Sequence, residues 1–156
     1  MEQSSSNAGL KIAAFALLVL PVFLAGSASA QDLWTDGTSS WFIASKWSAG
    51  VPTSATDAQV NNGGTAQIFG NSAQVKTLNL GFGAGQSGTL EVVSNGVLGD
   101  LAVTNFLVVG NLGAGTMHIS TGASVTGQFG ILGAFGDSSG AVTVAGAKRA
   151  GPPLPI

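Results

Sequence analysis

The chain has 156 residues, with 24 glycines, no cysteine and a formal net charge of −2. Glycine is about twice as frequent as in an average protein, and charged residues are about a third as frequent. This composition argues against a disordered chain, excludes disulfides and thiol chemistry, and gives no basic surface for nucleic acid, so we expect one folded domain without a nucleic-acid partner.

Residues 1–30 are predicted to be a helical signal peptide. Lys11 ends a polar segment, residues 12–25 are mostly apolar, and small residues follow at a typical cleavage spacing. The apolar run is too short to cross a membrane, which needs about 20 residues, so we expect export and no membrane span in the mature chain. The predicted cleavage site comprises Ala28, Ala30 and Gln31.

Residues 31–59 are predicted to be a cap or first coil, because all the tryptophans of the chain lie in this segment. An aromatic group of this kind has two interpretations. It closes the open end of a repeat structure as a hydrophobic plug, which we favour, or it forms a stacking platform for a glycan. The residues concerned are Trp34, Trp41 and Trp47.

Residues 60–147 contain a repeat. A short apolar unit ending in glycine occurs at residues 78–81, 107–110 and 130–133, and each unit is followed by a glycine-rich turn and an alternating run. The glycines that open those runs, Gly88, Gly115 and Gly140, are 27 and 25 residues apart. This period is typical of a solenoid, while the alternation and frequent glycine exclude helical repeats. We therefore predict an all-β fold, a right-handed parallel β-helix of about 3–5 coils.

Equal coil lengths predict that equivalent residues stack in columns about 4.8 Å apart. Three columns are expected inside the solenoid and one polar row outside it. The inner columns are Leu90, Met117 and Val142; Val92, Ile119 and Val144; and Leu80, Val109 and Leu132. The outer row is Glu91, His118 and Thr143.

Residues 148–156 do not continue the repeat, because their three prolines cannot join a β-ladder. The last coil would then expose a parallel edge, and self-association through that edge is expected. Our hypothesis is that the chain is the N-terminal piece of a longer protein, cut short or out of frame near Lys148.

Residues 34–147 resemble the N-terminal part of a bacterial autotransporter passenger domain. The likeness rests on the segment WFIASKWSAGVP at residues 41–52, the NGGTA turn at 62–66 and coil units such as GASV at 122–125. The resemblance implies an adhesin-type protein at the cell surface of a Gram-negative bacterium or outside the cell. The outer-membrane barrel of that family has no counterpart in this sequence, so a complete chain would be periplasmic.

Candidate chemistry is sparse in the sequence. Glu91 and His118 are the pair that the repeat brings together, and we interpret them as solvated neighbours rather than as an acid/base couple. We therefore predict no enzyme activity, no cofactor, no metal, and an unknown surface ligand as partner. Two alternatives stay open, a β-helical carbohydrate-active enzyme whose acids lie in missing coils, and a glycan-binding module that uses the tryptophans.

Overall fold

The computed structural model describes residues 31–94 and 99–146, and this part of the chain is built from short strands. Its one helical element is a 3₁₀ turn at Ala44–Lys46. The strands, in chain order, are β1 (Asp32–Leu33), β2 (Thr38–Ser40), β3 (Asp57–Val60), β4 (Asn62–Phe69), β5 (Ser72–Val75), β6 (Thr77–Leu80), β7 (Ser87–Val93), β8 (Asp100–Val109), β9 (Ala114–Ile119), β10 (Ser124–Leu132) and β11 (Ser139–Val144).

The strands form two parallel sheets that the chain visits in turn. The first sheet has the order β1-β3-β6-β8-β10, with β5 also paired to β8, and the second has the order β11-β9-β7-β4-β2. Each circuit of the chain adds a strand to both sheets, on top of the strands of the previous circuit. The fold is therefore a parallel β-solenoid of about four turns, which confirms the predicted architecture.

Strand registers confirm the three predicted columns. Met117 lies opposite Leu90 on one side and opposite Val142 on the other. Ile119 likewise lies opposite Val92 on one side and opposite Val144 on the other. In the first sheet, Val109 lies opposite Leu80 and Leu132. The period of two within strands sets this stacking, and the turns accommodate the difference between spacings of 27 and 25 residues.

Burial along these columns depends on the level of the stack. Leu90, Val92, Leu80 and Val109 are fully buried, and each stabilises the fold by about 1.5–3 kcal/mol relative to an exposed side chain. In the last level, by contrast, Leu132 is 56% exposed because the described chain places nothing above it.

Glycines mark the points where the chain leaves the first sheet. Gly81, Gly110 and Gly133 follow β6, β8 and β10 directly, and their φ angles are 67°, 77° and 61°. A side chain is strained in this left-handed region, which explains why each of the three apolar units ends in glycine.

Strand pairing includes residues before the predicted repeat and a part of β8 that the repeat does not predict. Strand β1 pairs with β3 and β2 pairs with β4, so the tryptophan-rich segment is itself a level of the stack. The first half of β8, Asp100–Val103, pairs with β5 and β10 and widens the first sheet. The predicted signal peptide and the tail after residue 147 lie outside the described residues.

Candidate functional site

The outward row of the second sheet contains the pair that the repeat predicted. Glu91 pairs in register with His118, and His118 with Thr143, so the three side chains follow one another along the stack. One level below, the amide Nε2 of Gln67 donates a hydrogen bond of 2.7 Å to Oε2 of Glu91. This bond fixes the carboxylate in a partly buried position.

A cavity of about 310 Å³ opens beside this row. Its polar wall consists of Glu91, His118 and Thr143 together with Ser120, and Val93 and Ile119 are among its apolar residues. A carboxylate, an imidazole and hydroxyl groups around an apolar floor suit a small polyhydroxylated ligand, which presents one apolar face and several hydroxyls. The sequence predicted the row through Glu91, His118 and Thr143, but it did not predict that apolar residues beside this row would line a cavity.

The chemistry that this arrangement offers is hydrogen bonding. Glu91 is the one carboxylate among the described residues around the cavity. Hydrolysis of a glycosidic bond ordinarily uses two carboxyl groups placed on either side of that bond. The described residues around the cavity supply one of these two carboxyl groups, that of Glu91.

The tryptophan cluster lies inside the first level rather than on its surface. Trp34, Trp41 and Trp47 are exposed by only 3%, 0% and 4%. Trp47 lies between the other two, with ring centroids 5.0 Å from Trp34 and 4.7 Å from Trp41, both in edge-to-face geometry. A stacking platform needs an exposed ring face, and none of these rings offers one, so the geometry speaks against glycan contact here and fits a plug.

A second aromatic feature lies on the outside of the first sheet. Phe106 and Phe129 face each other in register on β8 and β10, with ring centroids 5.2 Å apart and planes inclined by 27°. Both rings are exposed, by 39% and 54%. The sequence signal was present, since both phenylalanines immediately precede an apolar unit ending in glycine, but the interpretation of the repeat overlooked it.

The last level of the stack exposes a group of large apolar side chains. The members of this group, which we call the terminal coil surface, belong to β10, to β11 and to the turn between them. They are Phe129, Ile131, Leu132, Phe135, Val142 and Val144.

The predicted cleavage site is only partly described. Ala28 and Ala30 lie outside the described residues, while Gln31 is exposed and its Oε1 accepts a hydrogen bond from Nε2 of Gln59. In residues 31–94 and 99–146, no group of three or more acidic, histidine or cysteine residues could hold a metal ion. The same described ranges contain no helix long and apolar enough to cross a membrane.

Comparisons with known proteins gave no assignment: no family model, no curated protein and no solved structure matches this chain.

Proposed function

We propose that this chain is the solenoid segment of an exported, non-catalytic surface protein of the adhesin type, as in bacterial autotransporter passengers. Its place of action would be the surface of a Gram-negative cell or the medium around it. The resemblance of residues 34–147 to such passengers supports this proposal, as does the secretory pattern of residues 1–30.

One observation carries the proposal, the continuity of the stack. Successive levels repeat the same register over two sheets, and the outward residues therefore form rows such as the one through Glu91, His118 and Thr143. Such rows place outward side chains at regular intervals along the stack, and many weak contacts made at regular intervals give high avidity. A protein that adheres to a surface depends on avidity of this kind.

Adhesion is tested by display on cells. The full chain is fused to the translocator of an outer-membrane protein, and cell aggregation and adherence to coated surfaces are measured. The matched control carries Val92→Asp, which places a charge in a fully buried column and breaks the stack. We expect aggregation or adherence with the wild-type chain and none with the control at equal surface level. A wild-type fusion that is displayed and folded but neither aggregates nor adheres would contradict the proposal.

Export is tested separately at the predicted cleavage site. Expression of the full chain in a Gram-negative host should yield a periplasmic protein that begins at Gln31, as measured by mass spectrometry. Ala30→Arg should leave residues 1–30 attached, because the enzyme that removes signal peptides accepts small residues at this position. A cytoplasmic wild-type chain with an intact N-terminus would refute export.

The cavity beside Glu91 and His118 favours a second candidate, a glycan-binding module. Glu91→Gln keeps the shape of the side chain and removes the charge that hydroxyl donors prefer. A glycan array should then show binding by the wild-type chain that weakens by about tenfold in the variant. Equal signals from the two proteins would exclude the cavity as a glycan site.

A further inference from the structure

The last level of the solenoid ends in two edges without a partner strand among residues 31–94 and 99–146. β10 and β11 stand at the ends of the two sheet orders, and they are 9 and 6 residues long. At the opposite end of the stack, β1 and β2 have only 2 and 3 residues. Long free edges are strong templates for pairing with another chain, whereas very short ones are not.

Part of the terminal coil surface continues the inner columns, whose members are buried in the levels below. Leu132 and Val144 are exposed by 56% and 62%, while Val109, directly beneath Leu132, is fully buried. Met117, in the column below Val142, is 1% exposed. Leu132, Val142 and Val144 therefore have the composition and spacing found where one coil contacts the next. A further layer of strands placed on them would bury them.

Charge does not oppose a contact between two such surfaces. Asp137 is the one charged residue between Ser124 and Gly146, and this stretch contains no proline. Natural proteins commonly protect exposed edge strands with lysine or proline, and β10 and β11 have neither. Between two copies, this stretch therefore brings only the Asp137 carboxylates together as like charges.

We propose that the terminal coil surface is a dimer interface that binds the same surface of a second copy of this chain. A two-fold axis perpendicular to both the solenoid axis and the strands reverses every strand, so β10 pairs antiparallel with β10 of the second copy and β11 with its β11. Such a contact is isologous and closes after two copies. It does not depend on the adhesive role proposed above.

Other occupants fit this surface less well. The segment 147–156 of the same chain contains Pro152, Pro153 and Pro155, which have no N–H group to donate to a ladder. The first level of a second copy would offer only the short edges of β1 and β2. That head-to-tail contact would also leave a free surface at each end and grow into filaments.

Charged variants of the full chain test the interface by sedimentation equilibrium. We expect the wild-type chain to dimerise at micromolar concentration, and Leu132→Lys and Val144→Lys each to weaken the dimer by more than about tenfold. Ile43→Lys is the matched control, since Ile43 is 42% exposed but belongs to the first level. It should dimerise like the wild type. Residues 1–30 are identical in all four proteins, so any difference between them arises from the substitutions.

A cross-linking experiment locates the contact without adding charge. The chain has no cysteine, so a single introduced thiol can only bridge two copies. Ala141 lies near the middle of β11, where antiparallel pairing brings it close to its counterpart, and Ala141→Cys should form a covalent dimer under mild oxidation. Thr116→Cys occupies the same row one level below, because Thr116 pairs with Ala141, and should stay monomeric on a denaturing gel.

Four results would overturn the proposal. A wild-type chain that stays monomeric would show that the surface is covered by the tail or by nothing. Dissociation by Ile43→Lys, or equal cross-linking through Thr116→Cys, would place the contact elsewhere. Fibres instead of dimers would show head-to-tail growth rather than a closed two-fold contact.

Discussion

The indole N–H groups of the tryptophan cluster differ in their hydrogen bonding. Nε1 of Trp47 donates to the backbone oxygen of Trp41 over 2.9 Å in a buried position. Nε1 of Trp41 is also buried, but among the described residues no acceptor lies within hydrogen-bond distance. A buried donor without an acceptor lowers stability, so the two rings contribute unequally although both are inaccessible to solvent.

Replacing each indole by a phenyl ring separates these contributions. Trp47→Phe removes a buried hydrogen bond and leaves the Trp41 oxygen without that donor, while Trp41→Phe removes a donor that had no acceptor. Both variants lose a similar ring volume. We therefore expect the free energy of unfolding to fall by about 1 kcal/mol more in Trp47→Phe than in Trp41→Phe, as measured by urea unfolding. Equal losses would contradict the assigned hydrogen bond.

Asp36 is held in its charged form beside the same cluster. The ammonium group of Lys46 bonds to its carboxylate at 2.6 Å, and the Gly37 N–H donates to it at 2.8 Å. The Lys46 hydrogen bond first, and the Gly37 bond second, lower the pKa of Asp36 below the usual aspartate value. Since the folded pKa lies below the unfolded one, the pair stabilises the fold above the unfolded pKa, and this contribution is lost as pH falls through the folded pKa.

An NMR titration measures this effect directly. The carboxyl carbon of Asp36 should titrate below the usual aspartate range in the wild-type chain. Lys46→Met keeps the apolar stem and removes the ammonium group, so the pKa of Asp36 should rise toward its ordinary value. An unchanged pKa in the variant would show that Lys46 does not act on the carboxylate.

At the scale of the strand, the glycines that open the second-sheet runs allow two backbones to approach closely. A Cβ atom on Gly115 would lie 2.2 Å from the backbone nitrogen of Gly110 and 2.7 Å from the oxygen of Leu80. Gly88 and Gly140 have the same relation to backbone atoms of the level below, at 1.7 Å from the Val60 oxygen and 2.1 Å from the Val109 oxygen. The repeat of glycine is therefore a steric requirement of the corner between the sheets.

An alanine at this corner should be far more disruptive than one elsewhere in a strand. We expect Gly115→Ala to lower the free energy of unfolding by at least about 2 kcal/mol, because a backbone must move to admit the methyl group. Gly130→Ala is the matched control, since a Cβ there meets nothing within 4 Å, and it should change stability by less than about 0.5 kcal/mol. Chemical denaturation of both variants gives the comparison. Similar values for the two would remove the steric explanation.

The sequence predicts those parts of the stack in which inward and outward residues alternate. β7, β9 and β11 share one alternating pattern that begins with a small residue and glycine, so their register follows from the repeat. The pairing of β2 with β4 keeps a similar spacing, but Thr38–Ser40 has no apolar member because tryptophans fill the first level instead. That level could be recognised as a cap, but its register could not be derived.

An irregularity in the first sheet limits how much of its register can be predicted from the repeat. The register of β10 on β8 shifts between Gly127 and Phe129, so one strand has an extra residue at this point. The shift lies before Phe129, so aligning Gly110 with Gly133 places Phe106 opposite Phe129, but it does not predict the register of the first part of β10 on β8. The cavity beside Glu91 depends on side chains from successive levels, and sequence spacing alone does not fix its volume.

At the scale of the whole molecule, the described chain is one column-aligned stack whose two ends differ. The first level is filled by the buried tryptophans, and the last level carries the terminal coil surface. Solenoid stability is approximately a sum over levels and the contacts between neighbouring levels. Contacts between equivalent apolar side chains of neighbouring levels therefore stabilise the fold without disulfides. The same stacking positions the cavity beside Glu91 and the terminal coil surface.

The methyl group of Met117 tests this stacking most directly. Met117 and Met1 are the two methionines of the chain, so the Met117 resonance is readily assigned. In a methyl-labelled NMR sample, this methyl group should show nuclear Overhauser contacts to methyl groups of both Leu90 and Val142, the residues opposite it in register. Contacts to sequence neighbours alone, with none to Leu90 or Val142, would contradict the account.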